Sequence, residues 1–316
     1  MAFDKIDVHH HLLPMFLQEA QQAAATNYVS YAGFPEWTPQ SSLTLMDKIG
    51  VDFGFLSYSA PGIYFGDEEE VVSLSTRCNE YLAGVTQSAP DRFGGFATLP
   101  LPNIDAALSE LEYALDTLQL AGIGLLSNID GKYPGHVDFE PVFSELDKRS
   151  AVVFVHPTFP PRAKTQALGV PEPVWEFMFE TTRAVGNMVF SGLVQRHPNI
   201  RLIIPHSGGA VPFLAHRMTV FENLEGFKEN MPAGVQSYLK SLYFDTATSG
   251  DQIPLEALKC LADNRHILFG TDFPYMKKDR VITETNYLNS YNGFDKTDRS
   301  RMEGENALRL FPNLAK

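Results

Sequence analysis

Metal-capable side chains stand at the ends of four separate apolar runs in this sequence. His9 and His11 belong to KIDVHHH, His156 ends VVFVH, His206 follows LIIP, and Asp272 follows ILFGT. Imidazole and carboxylate groups bind borderline divalent ions, chiefly Zn²⁺ with Mn²⁺ as the alternative, and three to four of them leave room for water or substrate. A fold that brought these run ends together would create a divalent metal centre.

Each of these residues has a plainer explanation when it is taken alone. The histidines at 9–11 resemble part of a tag or a surface cluster, and a histidine such as His156 at a strand end is equally often a hydrogen-bonded structural residue. Asp272 has the position of a helix cap. The joint pattern favours a common site, because the carboxyl ends of parallel barrel strands all lie at the rim where barrel enzymes hold their chemistry.

Eight β-rich runs alternate with segments of helical periodicity, such as the apolar positions at three- and four-residue spacing between 104 and 118. Near-continuous apolar character in VVFV and LII predicts a parallel sheet buried on both faces. We expect an α/β fold, a (β/α)8 TIM barrel in one domain over residues 1–316; a doubly wound open sheet is the alternative. The predicted strands are 5–11, 51–58, 93–99, 122–127, 151–156, 201–206, 242–246 and 266–271.

Alternation along the first strand predicts which of its side chains enter the barrel. Successive residues of a strand point to opposite faces. The pattern therefore assigns Asp7, His9 and His11 to one face, at the barrel mouth. Ile6, Val8 and His10 then face the surrounding helices.

Two segments are longer than βα connections require. Residues 13–40 follow the first strand and residues 158–173 follow the fifth, and long loops at that end of a barrel build binding sites. We expect both to form a lid or rim. Their aromatic residues favour a flat, apolar substrate over a sugar or nucleotide. The aromatic residues in or near this rim are Tyr31, Phe34, Trp37, Trp175, Phe177 and Tyr275.

Composition excludes several classes of partner. The chain of 316 residues has a net charge of -13 and no basic run, which argues against nucleic-acid binding. No apolar stretch is long enough to cross a membrane, and the start lacks the pattern of a secretion signal. Cys78 and Cys260 form no metal or disulfide motif. We expect a cytoplasmic protein that needs a local cation to bind an anionic substrate.

In order along the chain, DVHHH, VHP, HSGG followed by Pro212 and Arg217, and FGTDFP resemble the amidohydrolase superfamily. The segment from Glu180-Thr181-Thr182 through HSGGAVPF resembles the branch that contains aminocarboxymuconate semialdehyde, γ-resorcylate and 6-methylsalicylate decarboxylases. The resemblance implies one metal, since no lysine ends the fourth strand, and a homodimer. It assigns metal ligation to His9, His11, His156 and Asp272, catalysis to His206 with Asp272, and contact with the substrate carboxylate to Arg217.

The resemblance implies a carboxy-lyase, a metal-dependent decarboxylase of an aromatic, salicylate-type acid such as 6-methylsalicylate, or of an enoic acid. Trp175 and Tyr275 are the expected further substrate contacts, and either Asp272 or His206 is the expected proton donor. A hydrolase or hydratase of the same branch, acting on a lactone or an unsaturated dicarboxylate, is the first alternative. A non-catalytic binding barrel is the second.

Overall fold

Eight parallel strands form one sheet in which every strand pairs with the next strand in sequence. The computed structural model describes residues 3–24, 33–161 and 170–315. After β8 the chain returns to β1: the Val8 N–H donates to the Phe269 carbonyl at 3.0 Å and the His11 N–H to the Phe273 carbonyl at 2.7 Å. The predicted barrel is confirmed. The strands are β1 (Ile6–His11), β2 (Phe53–Ser57), β3 (Phe93–Ala97), β4 (Gly122–Leu126), β5 (Val152–His156), β6 (Arg201–Ile204), β7 (Tyr243–Asp245) and β8 (Ile267–Leu268).

Helices connect the strands, as the periodicity predicts. Some begin at polar caps: the Asp67 carboxylate accepts two backbone N–H bonds at the start of the helix Glu68–Ser88, and Thr38 with Ser41 forms a capping box on the helix Pro39–Ile49. The described helices are α1 (Met15–Ala23), α2 (Pro39–Ile49), α3 (Glu68–Ser88), α4 (Ile104–Glu112), α5 (Glu140–Lys148), α6 (Glu176–Phe190), α7 (Leu193–Arg196), α8 (Val211–Val220), α9 (Val235–Ser241), α10 (Gln252–Leu261), α11 (Lys278–Ser290), α12 (Lys296–Ser300) and α13 (Asn306–Leu310). Within the described ranges, no helix is both long and apolar enough to cross a bilayer.

Aromatic side chains fill the lower part of the barrel. Phe55 and Phe96 stack with ring centroids 5.3 Å apart, Phe96 and Phe154 with 5.6 Å, and Phe311 from the C-terminal segment lies 4.0 Å from Phe55. Burial of such rings supplies much of the apolar stabilisation of a core. The His9 ring meets Phe154 edge-on with ring centroids 4.9 Å apart, so this candidate ligand packs directly against the aromatic layer.

Strand β1 does not alternate regularly. Its register against β2 shifts between Asp7 and His10, where one extra residue is accommodated as a β-bulge. Ile6 and Val8 consequently pack in the inner cluster with Phe53 and Phe55, although they were expected to face the helices. Asp7 points outward instead of into the barrel mouth.

The two long segments differ from the predicted loops. Residues 13–40 contain α1 and the start of α2, so much of this segment is helical, while residues 25–32 lie outside the described part. The segment 158–173 is described only at its ends. The last strand is also shorter than predicted, because the N–H of Phe269 donates to the Met302 carbonyl instead of continuing the ladder.

Candidate metal centre

Four predicted ligand residues converge at the carboxyl ends of β1, β5 and β8. Ligand atoms of His9, His11, His156 and Asp272 all lie within 4.8 Å of one another. The two nearest nitrogens, Nε2 of His9 and Nε2 of His11, are 2.9 Å apart, and the Asp272 Oδ1 is 3.1 Å from the His11 Nε2. The three histidines are fully or almost fully buried. The structure thus brings together the four residues that the sequence pattern singled out.

Hydrogen bonds at the far side of each ring fix which nitrogen faces the centre. The Nδ1 of His9 lies 2.9 Å from the Asp245 carboxylate, the Nδ1 of His11 lies 3.2 Å from the Ser57 carbonyl, and the Nδ1 of His156 lies 2.7 Å from the Pro157 carbonyl. The carboxylate and the carbonyls only accept, so each Nδ1 donates its proton; the Ser57 hydroxyl, also 3.1 Å from the His11 Nδ1, donates to the His10 carbonyl. In the neutral form of each imidazole, the Nε2 then presents a lone pair to the same point, which is the arrangement of metal-binding imidazoles.

One of the nitrogens that face this point has no hydrogen-bond donor opposite it. The Nε2 of His156 is buried without a hydrogen-bond partner among the described residues. Burial lowers the pKa of His156 well below its ordinary value, and the neighbouring imidazoles of His11 and His9 lower it further. A buried acceptor left unpaired costs free energy, whereas a divalent cation would satisfy all four ligands. The donor set therefore fits a single bound metal ion.

Asp272 is held as a carboxylate. Burial by itself raises its pKa, but the neighbouring imidazoles of His11, His206 and His9 hold that pKa well below its usual range. Asp272 has a left-handed backbone with φ 60°, and its N–H donates to the His9 carbonyl at 2.8 Å. This turn aims the side chain back at the histidines, so Asp272 is not a helix cap.

His206 lies beside the cluster and outside the set of four. Its Nε2 is 3.5 Å from the Asp272 Oδ2, and its Nδ1 has no partner within the described ranges. The residues Ser207, Gly208 and Gly209 all have positive φ, so the HSGG turn folds sharply after β6. This position suits a side chain that acts next to the metal ion rather than on it.

Asp245, at the end of β7, is a candidate functional residue that the sequence pattern did not single out. Its Oδ2 pairs with the His9 Nδ1, and its Oδ1 accepts the His206 N–H at 2.9 Å and the Ala247 N–H at 3.0 Å. Burial alone lowers the pKa of His9, but the carboxylates of Asp245 and Asp272 raise it to about 10. In the sequence, the position of Asp245 at the end of the apolar run LYFD was the signal that could have identified it as a residue at the end of a strand.

A cavity of about 260 Å³ opens above the cluster. His156, His206 and Asp272 form its floor, and Tyr275 is among its walls. No lysine or arginine lines it within the part of the chain that the structure describes. The other lining residues are Phe34, Ser59, Ala60, Phe159, Glu172, Pro173, Phe177, Met178, Thr248 and Met276.

Three predicted substrate-side residues lie elsewhere. Trp175 precedes the first turn of α6 and is not among the cavity walls, whereas Phe177 and Met178 just after it are. Arg217 is exposed on α8, where its guanidinium lies 5.4 Å from the Phe221 ring centroid. Trp37 is buried against Ser42, and Tyr31 lies outside the described residues.

The end of β4 bears on the number of metal ions. Ser127 and Asn128 follow this strand, where a binuclear centre would need a bridging lysine. Both side chains are directed at the fully buried Glu180, at 3.5 and 2.8 Å. The fold and these residues define a (β/α)8 barrel with a candidate centre for one metal ion.

Comparison with known proteins agrees with this geometry. The family model "Amidohydrolase" matches residues 6–312, and the chain belongs to this family. It is 33% identical to the 6-methylsalicylic acid decarboxylase of Penicillium expansum, over 98% of this chain and 97% of that protein.

Solved structures show the same fold. An amidohydrolase II structure superposes with a TM-score of 0.92 at 30% identity, over 99% of this chain and 100% of that one. The 5-carboxyvanillate decarboxylase of Novosphingobium aromaticivorans, complexed with manganese and a substituted nitrobenzoic acid, superposes with a TM-score of 0.88 at 19% identity, over 98% and 96% of the two chains. The expected superfamily is confirmed.

Proposed function

We propose that the protein is a metal-dependent, non-oxidative decarboxylase of an aromatic monocarboxylate of the salicylate type, with 6-methylsalicylate as the first candidate. The observation that carries the proposal is the cavity, in which aromatic and thioether side chains surround the Asp272 and His206 side chains. A flat apolar ring fits such walls, and its carboxylate fits a cationic floor. The relative that acts on 6-methylsalicylate matches along nearly the whole of both chains.

The proposed cofactor is one divalent ion held by His9, His11, His156 and Asp272. Three imidazoles and a carboxylate suit Zn²⁺, and Mn²⁺ is the alternative. When bound, the ion supplies positive charge that orients the substrate carboxylate and an adjacent oxygen and stabilises their negative charge. A cavity whose described walls contain no lysine or arginine has no other evident anchor for an anion.

Decarboxylation breaks the bond between the ring and its carboxylate carbon, and the electron pair stays on the ring carbon as CO₂ leaves. That carbon must then take a proton. Asp272 is one of the four proposed ligands, and a carboxylate that binds a metal ion is deprotonated, so it has no proton of its own to give. We assign delivery of the proton to His206, whose Nε2 faces Asp272 at 3.5 Å, and positioning of His206 to Asp272.

The dicarboxylate alternative is less well supported. A second substrate carboxylate needs a second cation, and the described walls offer Glu172 instead. Glu172 would repel a second negative charge, since both groups would lie in a partly desolvated cavity. A lactone hydrolase would use the same metal ligands, so product analysis is needed to separate it from a decarboxylase. A non-catalytic binding barrel would turn over no acid at all.

A panel of acids tests the reaction. Metal-loaded protein should convert 6-methylsalicylate into 3-methylphenol and CO₂ in equal amounts, and should leave phthalate and muconate unchanged. CO₂ is followed by a coupled assay and the phenol by chromatography. Benzoate is the matched control, because it lacks the oxygen beside the carboxylate and should react at least about 10-fold more slowly. Turnover of a lactone or a dicarboxylate, without CO₂ from any aromatic acid, would contradict the proposal.

We further propose a homodimer in which the α8 face is the contact surface. Large apolar side chains are exposed on α8 and just after it, at Phe213, Val220, Phe221 and Leu224. Arg217 lies among these side chains and does not line the cavity of its own subunit. A role at a substrate carboxylate would therefore require Arg217 to reach the cavity of a second copy of the chain.

Variants on α8 separate these roles. Phe213→Asp should shift the sedimenting species from dimer to monomer and lower kcat/KM by at least about 10-fold. Arg217→Ala should leave the dimer intact and raise KM by roughly 10-fold, the loss of one charged contact. Asp105→Ala on α4 is the control and should change neither. A monomeric wild type, or an Arg217→Ala variant with unchanged kinetics, would refute this part.

A further inference from the structure

Asp7 is a buried carboxylate that has no place in the proposed reaction. It is 1% exposed and faces outward from β1, away from the cavity. Each of its two carboxylate oxygens has two hydrogen-bond partners. The Oδ1 accepts the backbone N–H of His9 at 3.0 Å and of Thr271 at 3.1 Å, and the Oδ2 accepts the Thr271 hydroxyl at 2.5 Å and lies 2.9 Å from the His10 Nδ1.

The partners of Asp7 belong to two separate ligand-bearing segments. His9 is itself one of the four candidate ligands, and Thr271 immediately precedes another, Asp272. The two segments are more than 260 positions apart in sequence and meet at the seam between β1 and the end of the barrel. One carboxylate therefore ties together the backbones that carry two metal ligands.

A directed chain of hydrogen bonds fixes this carboxylate from the other side. The Trp37 Nε1–H can only donate, and it donates to the Ser42 Oγ at 2.9 Å. The Ser42 hydroxyl is then free to donate to the His10 Nε2, 2.8 Å away, and the His10 Nδ1–H donates to Asp7. All four groups are satisfied by one consistent set of proton positions, as a rigid buried network requires.

We propose that Asp7 is a positioning residue whose carboxylate holds His9 and Asp272 at the separation a metal ion requires, and that Trp37, Ser42 and His10 hold Asp7 in place. The inference rests on the proposed metal centre and not on the identity of the substrate. Groups that orient metal ligands without touching the ion commonly change metal affinity by 10- to 100-fold.

Metal affinity of purified full-length variants tests the proposal. Metal-stripped protein is titrated with Zn²⁺ against a chromophoric chelator. Asp7→Ala should weaken the Kd by about 10- to 100-fold, because two backbone N–H groups lose their acceptor and the two segments relax apart. Asp7→Asn keeps one acceptor oxygen for those N–H groups, so it should recover most of the lost affinity.

Asp52→Ala is the matched control. In the wild type, the Asp52 carboxylate accepts the N–H groups of Asp4 and Lys5 at 2.8 and 2.9 Å, just before the start of β1 and at the end of this strand away from the candidate ligands. The Asp52→Ala variant should lower the melting temperature of the metal-free protein. It should change the Zn²⁺ Kd by less than about threefold, since the Asp52 carboxylate contacts no segment that carries a candidate ligand. Equal loss of affinity in the Asp7 and Asp52 variants would overturn the specific role of Asp7.

Thr271→Val keeps the test decisive if Asp7→Ala does not fold. It removes one hydrogen bond to Asp7 at nearly constant volume and should weaken Zn²⁺ binding about three- to tenfold. Unchanged affinity in this variant, or in a folded Asp7→Ala, overturns the inference. A wild-type protein that binds no divalent ion refutes the metal centre itself, which is a different result.

Discussion

Replacing His206 with alanine is expected to lower CO₂ release by about 100-fold or more while the protein keeps its metal. His206 faces the Asp272 Oδ2 from outside the cluster of four candidate ligands, so its removal takes away the proposed proton donor and leaves those ligands in place. One general acid commonly contributes a factor of 100 to 10,000 to a rate. Elemental analysis and a CO₂ assay on the same sample measure both quantities.

Two outcomes would contradict this assignment. If metal occupancy falls along with the rate, His206 is a ligand. If His206→Ala decarboxylates at the wild-type rate, the proton comes from elsewhere. His136→Ala is the control, because this imidazole is partly exposed, lies away from the cavity walls and should change neither quantity.

Replacing His9 or His11 with alanine should abolish metal binding and activity together. Wild-type protein should hold about one ion per chain, and either variant close to none, because the remaining ligands no longer close a four-ligand site. Asp272→Asn is the companion variant. It keeps the side-chain shape but removes the charge that His9, His11 and His206 surround, so it should weaken metal binding and nearly abolish turnover.

Chelation provides the independent test of this second prediction. Wild-type protein treated with a strong chelator should lose activity and recover it on addition of Zn²⁺ or Mn²⁺. Full activity in metal-free protein would end the metal hypothesis. Two tightly bound ions per chain would instead contradict the mononuclear centre.

The barrel could be predicted from the sequence because its signals are local. Each apolar run, such as VVFV before His156, lies within one strand, and the helical periodicity between runs marks the crossovers. Strand ends were less predictable. Only Ile267–Leu268 of the predicted run 266–271 forms a strand. The Phe269 N–H leaves the ladder and donates to the carbonyl of Met302, in the C-terminal part of the chain. A local pattern does not contain such distant partners.

The convergence of the candidate ligands was likewise predictable, since His9, His11, His156 and Asp272 carry their chemistry in their side chains. Residues that act through other residues were not. Asp245 is recognised only once the fold places its carboxylate 2.9 Å from the His9 Nδ1. Trp175 stays a prediction, because only a tertiary arrangement shows that Phe177 and Met178, just after it, line the cavity.

The bulge in β1 divides this strand into two parts with separate phases. Before the bulge, Ile6 and Val8 face the aromatic core. After the bulge, His9 and His11 face the candidate metal centre. In a regular strand, a core that used Ile6 and Val8 would turn His10 inward and both ligands outward. Straightening β1 without changing its length would therefore turn both candidate ligands to the outer face, whereas deleting Val8 would restore regular alternation with His9 and His11 still facing inward. Apolar substitutions at Ile6 or Val8, in contrast, could accumulate over evolution without altering the direction of the ligands.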